Sequence, residues 1–246
     1  MQTSVVEVRQ FKEFDLSGGV VVEAFSGVAS GIVGSYIISS LRLDQIAVMD
    51  SPLFPPVSII SAGKPEFPAR IYAAPQRKIA VCCSELTMPP YLYRSIAKCI
   101  LSWANEKNCT LVISLCAMPL SEKDEKSRKR CTPVMGVGSN DRWKQILENN
   151  GISQLDFGVV PGITGAILNE SKWNAADVIA LIVETYSEVS DVRAAALMVE
   201  AIDLLLPGID LQVTPLYAEA EEIESRLKNV REQAKQARSI RPLPYS

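Results

Sequence analysis

The stretch most suggestive of chemistry is FSGVASGIVG, residues 25–34, where glycines follow an apolar run and open a helical one. Glycines at such a strand–turn–helix junction can let the backbone approach the pyrophosphate of a dinucleotide. The spacing is incomplete, because Ala29 takes the place of the first glycine in the frame that continues through Gly31 and Gly34. Asp50, the candidate ribose ligand, is followed by the bulky sequence SPLFPP. We therefore interpret Gly31 and Gly34 as sites of close helix–sheet packing and predict no cofactor.

Two pairs of polar residues at predicted strand ends are candidates for hydrolytic or phosphorolytic chemistry: Ser84 with Glu85, and Glu184 with Thr185. Active sites of α/β proteins form at the carboxyl ends of strands, where Glu85 and Glu184 could meet in space. The chain contains no histidine, so it lacks the usual activator of a serine or cysteine nucleophile and the commonest metal ligand. We predict no catalytic site. A small-molecule hydrolase or nucleoside-phosphorylase-like enzyme is the alternative.

Composition excludes several other classes. The six cysteines include no C-x-x-C pair and most lie in apolar runs, which predicts free buried thiols rather than a zinc site or a disulfide. A net charge of −3 provides no global attraction to nucleic acid or to an anionic membrane. No apolar run reaches the roughly 18 residues that a membrane helix needs. The first twenty residues lack the features of a signal peptide, so we expect a cytoplasmic protein.

The elements that must position these residues alternate along the chain. Residues 20–50 are predicted to form a β-α-β unit with a right-handed crossover. A helix is predicted over 90–108, because Leu92, Ile96, Ile100 and Trp103 form one apolar stripe. Further strands are predicted within 57–60, 69–74, 78–86, 109–120, 133–140, 155–160 and 177–186. The fold class is therefore α/β: a three-layer α/β/α sandwich with a mostly parallel sheet, forming a core domain of residues 1–213.

Residues 214–239 are predicted to form a C-terminal amphipathic helix, with Thr214 as its N-cap and Pro215 at its first position. Its apolar residues alternate spacings of four and three, which gives a seam of about three heptads. Such a seam fits either a surface helix packed on its own domain or a helix that also pairs between subunits. The possible oligomer contacts are Leu216, Ala220, Ile223, Leu227 and Val230.

An extended tail, residues 240–246, ends the chain on RPLPYS. A terminus is normally unpatterned and polar, whereas this one places Leu243, Pro244 and Tyr245 together. The tail is therefore expected either to pack on its own protein or to be presented to a partner.

The block from Val22 to Ala73 is similar to the signature of the archaeal proteasome-assembly-chaperone family. That pattern has a glycine-rich turn, a strand ending in Asp-Ser, phenylalanine-prolines, Gly-Lys-Pro and Arg-Ile-Tyr. The matching residues here are Gly31, Gly34, Asp50, Ser51, Phe54, Pro55, Pro56, Gly63, Lys64, Pro65, Arg70, Ile71 and Tyr72. Later segments such as GVVPGITGAILNES also match, so the resemblance covers nearly the whole chain.

The resemblance implies a phosphorylase-like or hydrolase-like fold and a chaperone that works without ATP, cofactor or metal. The implied partners are α-subunits of the 20S proteasome or the finished core particle, with the chain itself in a homo-oligomer or a hetero-oligomer with a paralogue. Leu243, Pro244, Tyr245 and Ser246 resemble the hydrophobic–Tyr–any-residue tail with which proteasome activators dock between α-subunits. Tyr245 would enter an intersubunit pocket, and the Ser246 carboxylate would pair with a basic residue. Pro244 departs from the larger aliphatic residue usual before this tyrosine.

Overall fold

Nine strands form one central sheet in the part of the chain that the computed structural model describes, residues 5–119, 133–185 and 192–239. Across the sheet they follow the order β1 (Glu7–Gln10), β3 (Asp44–Asp50), β6 (Ala69–Ala74), β7 (Ile79–Ser84), β2 (Val20–Ser26), β8 (Leu111–Pro119), β11 (Val178–Thr185), β9 (Met135–Gly138) and β10 (Ser153–Gln154). A separate antiparallel hairpin joins β4 (Ile59–Ser61) to β5 (Lys64–Glu66).

The four central strands, β7, β2, β8 and β11, run parallel to one another. Strands β1, β3 and β6 extend the sheet beyond β7 through antiparallel pairs, and β9 pairs antiparallel with β11 on the other side. The central strands are apolar along their length because helices cover both faces, as in Val178–Val183, where every side chain is buried. The predicted α/β fold class is confirmed, with the parallel pairing concentrated at the centre of the sheet.

Six α-helices cover the two faces within the described residues: α1 (Gly27–Leu41), α2 (Tyr93–Glu106), α3 (Asp141–Asn149), α4 (Gly162–Asn174), α5 (Val192–Leu205) and α6 (Val213–Ser239). Helices α1, α3 and α5 share one apolar core with residues such as Val22 on β2. Helices α2 and α4 share the core on the opposite face with the next residue along β2, Val21. The alternation of side chains along β2 thus supplies both cores.

Close approach of α1 to the sheet depends on glycine. A Cβ atom on Gly34 would lie 2.9 Å from the Cβ of Ala24 on β2, closer than two carbons tolerate. Gly31 is buried on the same helix. The interpretation of Gly34 as a site of close packing is therefore confirmed.

Several elements differ from the prediction. Strand β1 was not predicted. The predicted strand over 155–160 is wrong, because that segment is an irregular loop in which Phe157 and Val159 are 96% and 81% exposed. Strands β2 and β3 are not neighbours, since β6 and β7 lie between them. The tail 240–246 lies outside the described residues.

Helix α6 begins at Val213, one residue before the predicted start. Leu216 is fully buried in the core beneath α1 and α5, and Val230 and Ala234 pack against the core on the opposite face of the sheet. These seam residues therefore contact their own chain. The side chains of Ala220, Ile223 and Leu227 lie outside the description, and pairing of α6 between subunits stays a prediction. Residues 214–239 as a separate unit likewise remain a prediction.

Candidate functional site

The carboxyl ends of the parallel strands meet at one edge of the sheet, which is where α/β proteins form their ligand sites. Helix α6 crosses this edge. Arg231 on α6 donates one hydrogen bond to the carbonyl of Gly27 (2.9 Å), just past β2, and another to the carbonyl of Glu85 (3.0 Å), just past β7. Together with the buried contacts of Val230 and Ala234, these bonds hold α6 over the ends of β2 and β7. This part of the edge is covered by the chain's own helix.

The candidate catalytic pairs are not assembled at this edge. The hydroxyl of Ser84 accepts a hydrogen bond from the Leu86 amide (3.0 Å) and donates one to the Leu86 carbonyl (3.3 Å), so it shapes its own turn. Strands β2 and β8 separate β7 from β11. Glu85 and Glu184 therefore lie about 14 Å apart, three strand spacings, and do not form an acid–base pair.

Glu85 instead belongs to a buried ion cluster. Its carboxylate contacts the guanidinium of Arg70 on β6, which also contacts the carboxylate of Glu66 on β5. Arg70 is only 5% exposed and lies 5.8 Å from the centre of the Tyr72 ring. Burial raises the pKa of Tyr72 to about 12. The cluster links the β4–β5 hairpin, the sheet and the turn that α6 covers, and removal of Arg70 would leave the carboxylates of Glu85 and Glu66 without their shared partner.

The signature residues after β3 form a local turn. Asp50 accepts a hydrogen bond from the Ser51 amide (2.9 Å), and the Ser51 hydroxyl accepts one from the Leu53 amide (3.1 Å). Phe54 is nearly buried and contributes to the core beneath α2 and α4, whereas Pro56 is exposed. Pro55 and Pro56 thus follow a turn that the hydrogen bonds of Asp50 and Ser51 stabilise. Aspartate and serine side chains commonly stabilise turns in this way.

The β4–β5 hairpin presents the rest of the signature. Ala62 and Gly63 both have positive φ angles, +48° and +76°, the geometry of a two-residue hairpin turn with a glycine at its second position. Lys64 and Pro65 lie exposed beside this turn, and Ile60 is 66% exposed. The signature therefore marks a projecting hairpin that is anchored at its base by Arg70.

Sequence analysis missed a buried carboxyl group in β2. Glu23 is fully buried, its Oε1 accepts a hydrogen bond from the Phe25 amide (2.8 Å), and its Oε2 contacts the Ser114 hydroxyl. The Ser114 Oγ lies 2.9 Å from the Oγ1 of Thr164, which donates to the Leu115 carbonyl (3.2 Å). Burial raises the pKa of Glu23 to about 7, although the bonds from Ser114 and Phe25 oppose that rise. The one feature of the sequence that could have revealed this buried carboxyl group is the acidic residue inside the apolar run VVVEAF.

The Glu23 cluster is not placed to act on a substrate. Glu23, Ser114 and Thr164 are each 0% exposed, so none of them reaches the surface of the sheet edge. In the neutral state the carboxyl proton is donated to Ser114, Ser114 donates to Thr164, and Thr164 donates to the carbonyl. Every hydroxyl in that chain then has both a donor and an acceptor partner. The cluster therefore affects the stability of the fold in a way that depends on pH.

The cysteines behave as free thiols. Cys82, Cys99 and Cys116 are buried, Cys83 and Cys109 are partly buried, and all five have free thiols. Cys131 lies outside the described residues. Burial raises the pKa of Cys83 and of Cys116 to about 12, so neither forms a nucleophilic thiolate near neutral pH.

Within residues 5–119, 133–185 and 192–239, no three histidine, cysteine, aspartate or glutamate side chains group closely enough to bind a metal ion. The helices of the described part are too short or too polar to span a bilayer.

Known proteins resemble this chain over most of its length. The sequence model of the PAC2 family matches residues 25–231. An uncharacterized protein of Methanocaldococcus jannaschii is 28% identical over 223 residues, which is 90% of this chain and 89% of that protein. The crystal structure of Pyrococcus furiosus PbaA, described as an archaeal homolog of proteasome-assembly chaperone, is 29% identical with a TM-score of 0.78, covering 95% of this chain and 99% of PbaA. Pyrococcus furiosus PbaB, described as an archaeal proteasome activator, shares the fold with 18% identity and a TM-score of 0.73, covering 93% and 99%.

Proposed function

The chain belongs to the PAC2 family, and on that premise we propose that it is a cytoplasmic, ATP-independent proteasome assembly chaperone or 20S core-particle binding protein. It engages α-subunits of the proteasome, partly through its C-terminal tail. It acts by binding partner proteins through its own surface, with no catalytic step.

The observation that carries this proposal is the full-length likeness to PbaA. Each chain covers nearly all of the other at 29% identity, so the similarity involves the whole fold and its C-terminal helix, not one shared module. The covered sheet edge supports the same conclusion. An enzyme of this architecture needs the carboxyl ends of its strands open to substrate, whereas Arg231 ties α6 across the ends of β2 and β7.

The tail is the proposed docking element because of its chemistry and its position. It follows α6, which is fixed to the core through Val230, Arg231 and Ala234. Tyr245 offers a large amphipathic ring, and the terminal carboxylate offers a charge for a basic residue of the α-ring. Prolines 242 and 244 restrict the free tail, which reduces the entropy lost when it binds.

Several tails on one oligomer would strengthen a weak contact. Docking one tail raises the effective concentration of the others, which increases the overall affinity by about 10²–10⁴. The proposal therefore expects tight binding of the assembled protein even where a single tail binds poorly.

A pull-down with immobilised 20S core particle and with free α-subunits tests the proposal. The full-length chain is compared with a chain that ends at Pro242 and with Tyr245→Ala, and Tyr91→Ala serves as the matched control because Tyr91 is 69% exposed elsewhere on the surface. We expect binding by the full-length chain and by Tyr91→Ala, and at least tenfold weaker binding by the two tail variants.

Two other results have distinct meanings. Unchanged binding after truncation would assign the contact to the globular surface, with the exposed Ile60 of the β4–β5 hairpin as the next position to change, and would reject the tail as the docking element. Absence of binding by every form to both targets would reject the proteasome function itself.

A further inference from the structure

The first turn of α4 is attached to the sheet through a buried hydroxyl group. The segment GVVPGITG, residues 158–165, forms the loop before α4 and the start of that helix, and it has no part in the function proposed above. Pro161 occupies the N-cap position of α4, where no side chain accepts a hydrogen bond from the helix. Thr164 contacts β8 through its hydroxyl group, and its side chain is fully buried. The polar attachment of the turn therefore depends on Thr164.

Three links between oxygen atoms connect Glu23 on β2 to Thr164 on α4 and then to β8. The Glu23 carboxyl group contacts the Ser114 hydroxyl, and the Ser114 Oγ lies 2.9 Å from the Thr164 Oγ1. The Thr164 Oγ1 lies 3.2 Å from the Leu115 carbonyl oxygen. A backbone carbonyl only accepts, so the three links need one hydrogen each from Glu23, Ser114 and Thr164. With a neutral Glu23, all three links are hydrogen bonds.

Ionisation of Glu23 leaves two hydroxyl hydrogens for these three links. The carboxylate only accepts, so Ser114 must donate to it, and Thr164 donates either to Ser114 or to the Leu115 carbonyl. In the first case the Leu115 carbonyl loses its bond from α4. In the second case the Ser114 and Thr164 oxygens lie 2.9 Å apart with no hydrogen between them, which is repulsive. Either way, Thr164 loses one of the two contacts that attach α4 to β8.

Glu23 has no cationic partner within residues 5–119, 133–185 and 192–239, because no lysine or arginine side chain there contacts its carboxyl group. The charged groups of the surrounding elements are engaged with other partners: Arg94 and Lys98 of α2 with Glu170 of α4, Arg70 of β6 with Glu66 and Glu85, and Arg231 of α6 with two backbone carbonyls. The ionised form of Glu23 is therefore not stabilised by an ion pair.

The titratable groups that face Glu23 are two thiols, those of Cys82 on β7 and Cys116 on β8. Burial raises the pKa of Cys116 to about 12 and that of Cys82 well above its ordinary value, so both thiols stay neutral between pH 6 and pH 8. Burial raises the pKa of Glu23 to about 7. Within this cluster, Glu23 is therefore the group that changes charge near neutral pH.

We propose that Glu23 and Thr164 form a proton-dependent latch, in which a neutral Glu23 fastens the first turn of α4 to β8 and ionisation of Glu23 releases it. Ile167, one turn further along α4, is fully buried, so the rest of the helix stays packed. Release is thus confined to the first turn and to the loop before it, where Phe157 and Val159 are exposed. A rise in pH loosens this loop while the core remains folded. The inference does not depend on the proteasome partner.

Hydrogen–deuterium exchange of the full-length chain at pH 6, 7 and 8 tests the latch. Protection in residues 163–168 is compared after correction for the intrinsic exchange rate at each pH. Exchange through a local opening is recognised by its insensitivity to low concentrations of urea, because such an opening exposes little surface. We expect protection to fall by about tenfold between pH 6 and pH 8, since one unit of difference in the pKa of Glu23 between the fastened and released states changes the equilibrium tenfold.

Three variants assign the effect to these hydrogens. Glu23→Gln keeps a side-chain donor for Ser114 at every pH, so its protection in residues 163–168 should not change between pH 6 and pH 8. Thr164→Val lacks the hydroxyl group and should show low protection at both pH values. The matched control Thr164→Ser keeps the hydroxyl group and should follow the wild type.

The wild-type series alone can overturn the proposal, because protection that does not change with pH would show that no latch opens. A tenfold fall that persists in Glu23→Gln would assign the change to another titrating group. Wild-type protection of Thr164→Val at pH 6 would show that the hydroxyl group does not hold the turn. Either of these results would also reject the latch.

Discussion

Replacement of Glu23 by glutamine tests the buried carboxyl cluster through the pH dependence of folding. The pKa of Glu23 is about 7 in the folded chain, against an ordinary value of 4.5. Between these two values the folded chain binds a proton that the unfolded chain has released. The free energy of unfolding therefore falls as the pH rises from about 4.5 to about 7, and the loss is complete above pH 7. At 1.36 kcal/mol per pKa unit, Glu23 costs the wild type about 3 kcal/mol at pH 8.

Glutamine cannot ionise, so the variant does not bear this cost. Its amide has one hydrogen more than a neutral carboxyl group, and an unpaired buried N–H costs about 1–3 kcal/mol at every pH. We therefore expect Glu23→Gln to be less stable than the wild type at pH 4.5. Relative to the wild type, its free energy of unfolding should then rise by about 3 kcal/mol between pH 4.5 and pH 8.

Urea unfolding at a series of pH values, followed by tryptophan fluorescence, measures this difference. Many other carboxyl groups titrate in the same range, but they contribute equally to both proteins and cancel in the comparison. Glu13→Gln, at an exposed position, is the matched control and should stay within about 0.5 kcal/mol of the wild type throughout. Parallel curves for Glu23→Gln and the wild type from pH 4.5 to pH 8 would refute the assignment of a neutral, raised-pKa Glu23.

Three further substitutions test the packing and the ion contacts of the site by urea unfolding. Gly34→Ala should lower the free energy of unfolding by about 1–3 kcal/mol, because the new methyl group would meet Ala24 at 2.9 Å; wild-type stability would contradict the close packing of α1. Arg231→Ala should lower the free energy of unfolding by about 1–3 kcal/mol and increase proteolysis within α6, because two carbonyls lose their hydrogen-bond donor. The control Glu232→Ala, at an exposed position, should have little effect on either measurement. Arg70→Met should lower the free energy of unfolding by about 3–5 kcal/mol, because the carboxylates of Glu66 and Glu85 lose their shared partner. An unchanged free energy of unfolding would show that these carboxylates are solvated.

The sequence was most informative where burial is complete. Strands such as β8 and β11 are buried on both faces, so their uninterrupted apolar runs predict them directly. Strand β1 was not predicted because its four residues, EVRQ, include a single apolar residue, Val8, which is too short a pattern to indicate a strand. The order of the strands in the sheet could not be predicted either. A run of apolar residues contains no information on which strands lie beside it, so the position of β6 and β7 between β2 and β3 was missed.

Long-range polar contacts set the other limit. Ser114 lies 91 positions from Glu23 and 50 from Thr164, so the sequence shows an acid within an apolar strand but not the hydroxyls that surround it. The role of Arg231 could not be predicted for the same reason, because Arg231 lies 146 positions from Glu85 and 204 from Gly27 in the sequence. Glu85 was a candidate because it ends a strand, and the structure shows that its carboxylate pairs with Arg70.

The contacts of Arg231 join the fold to the proposed function. In an enzyme of this architecture the turns after β2 and β7 would border the substrate, and a substrate that reached them here would have to displace α6. Displacement would break both hydrogen bonds of Arg231 and expose the buried contacts of Val230 and Ala234. The same turns instead hold the C-terminal half of α6, so the proposed docking segment, which begins at residue 240, would start from an anchored helix. An anchored start would lower the entropy lost on docking, which is the physical advantage of a binding tail placed directly after this helix.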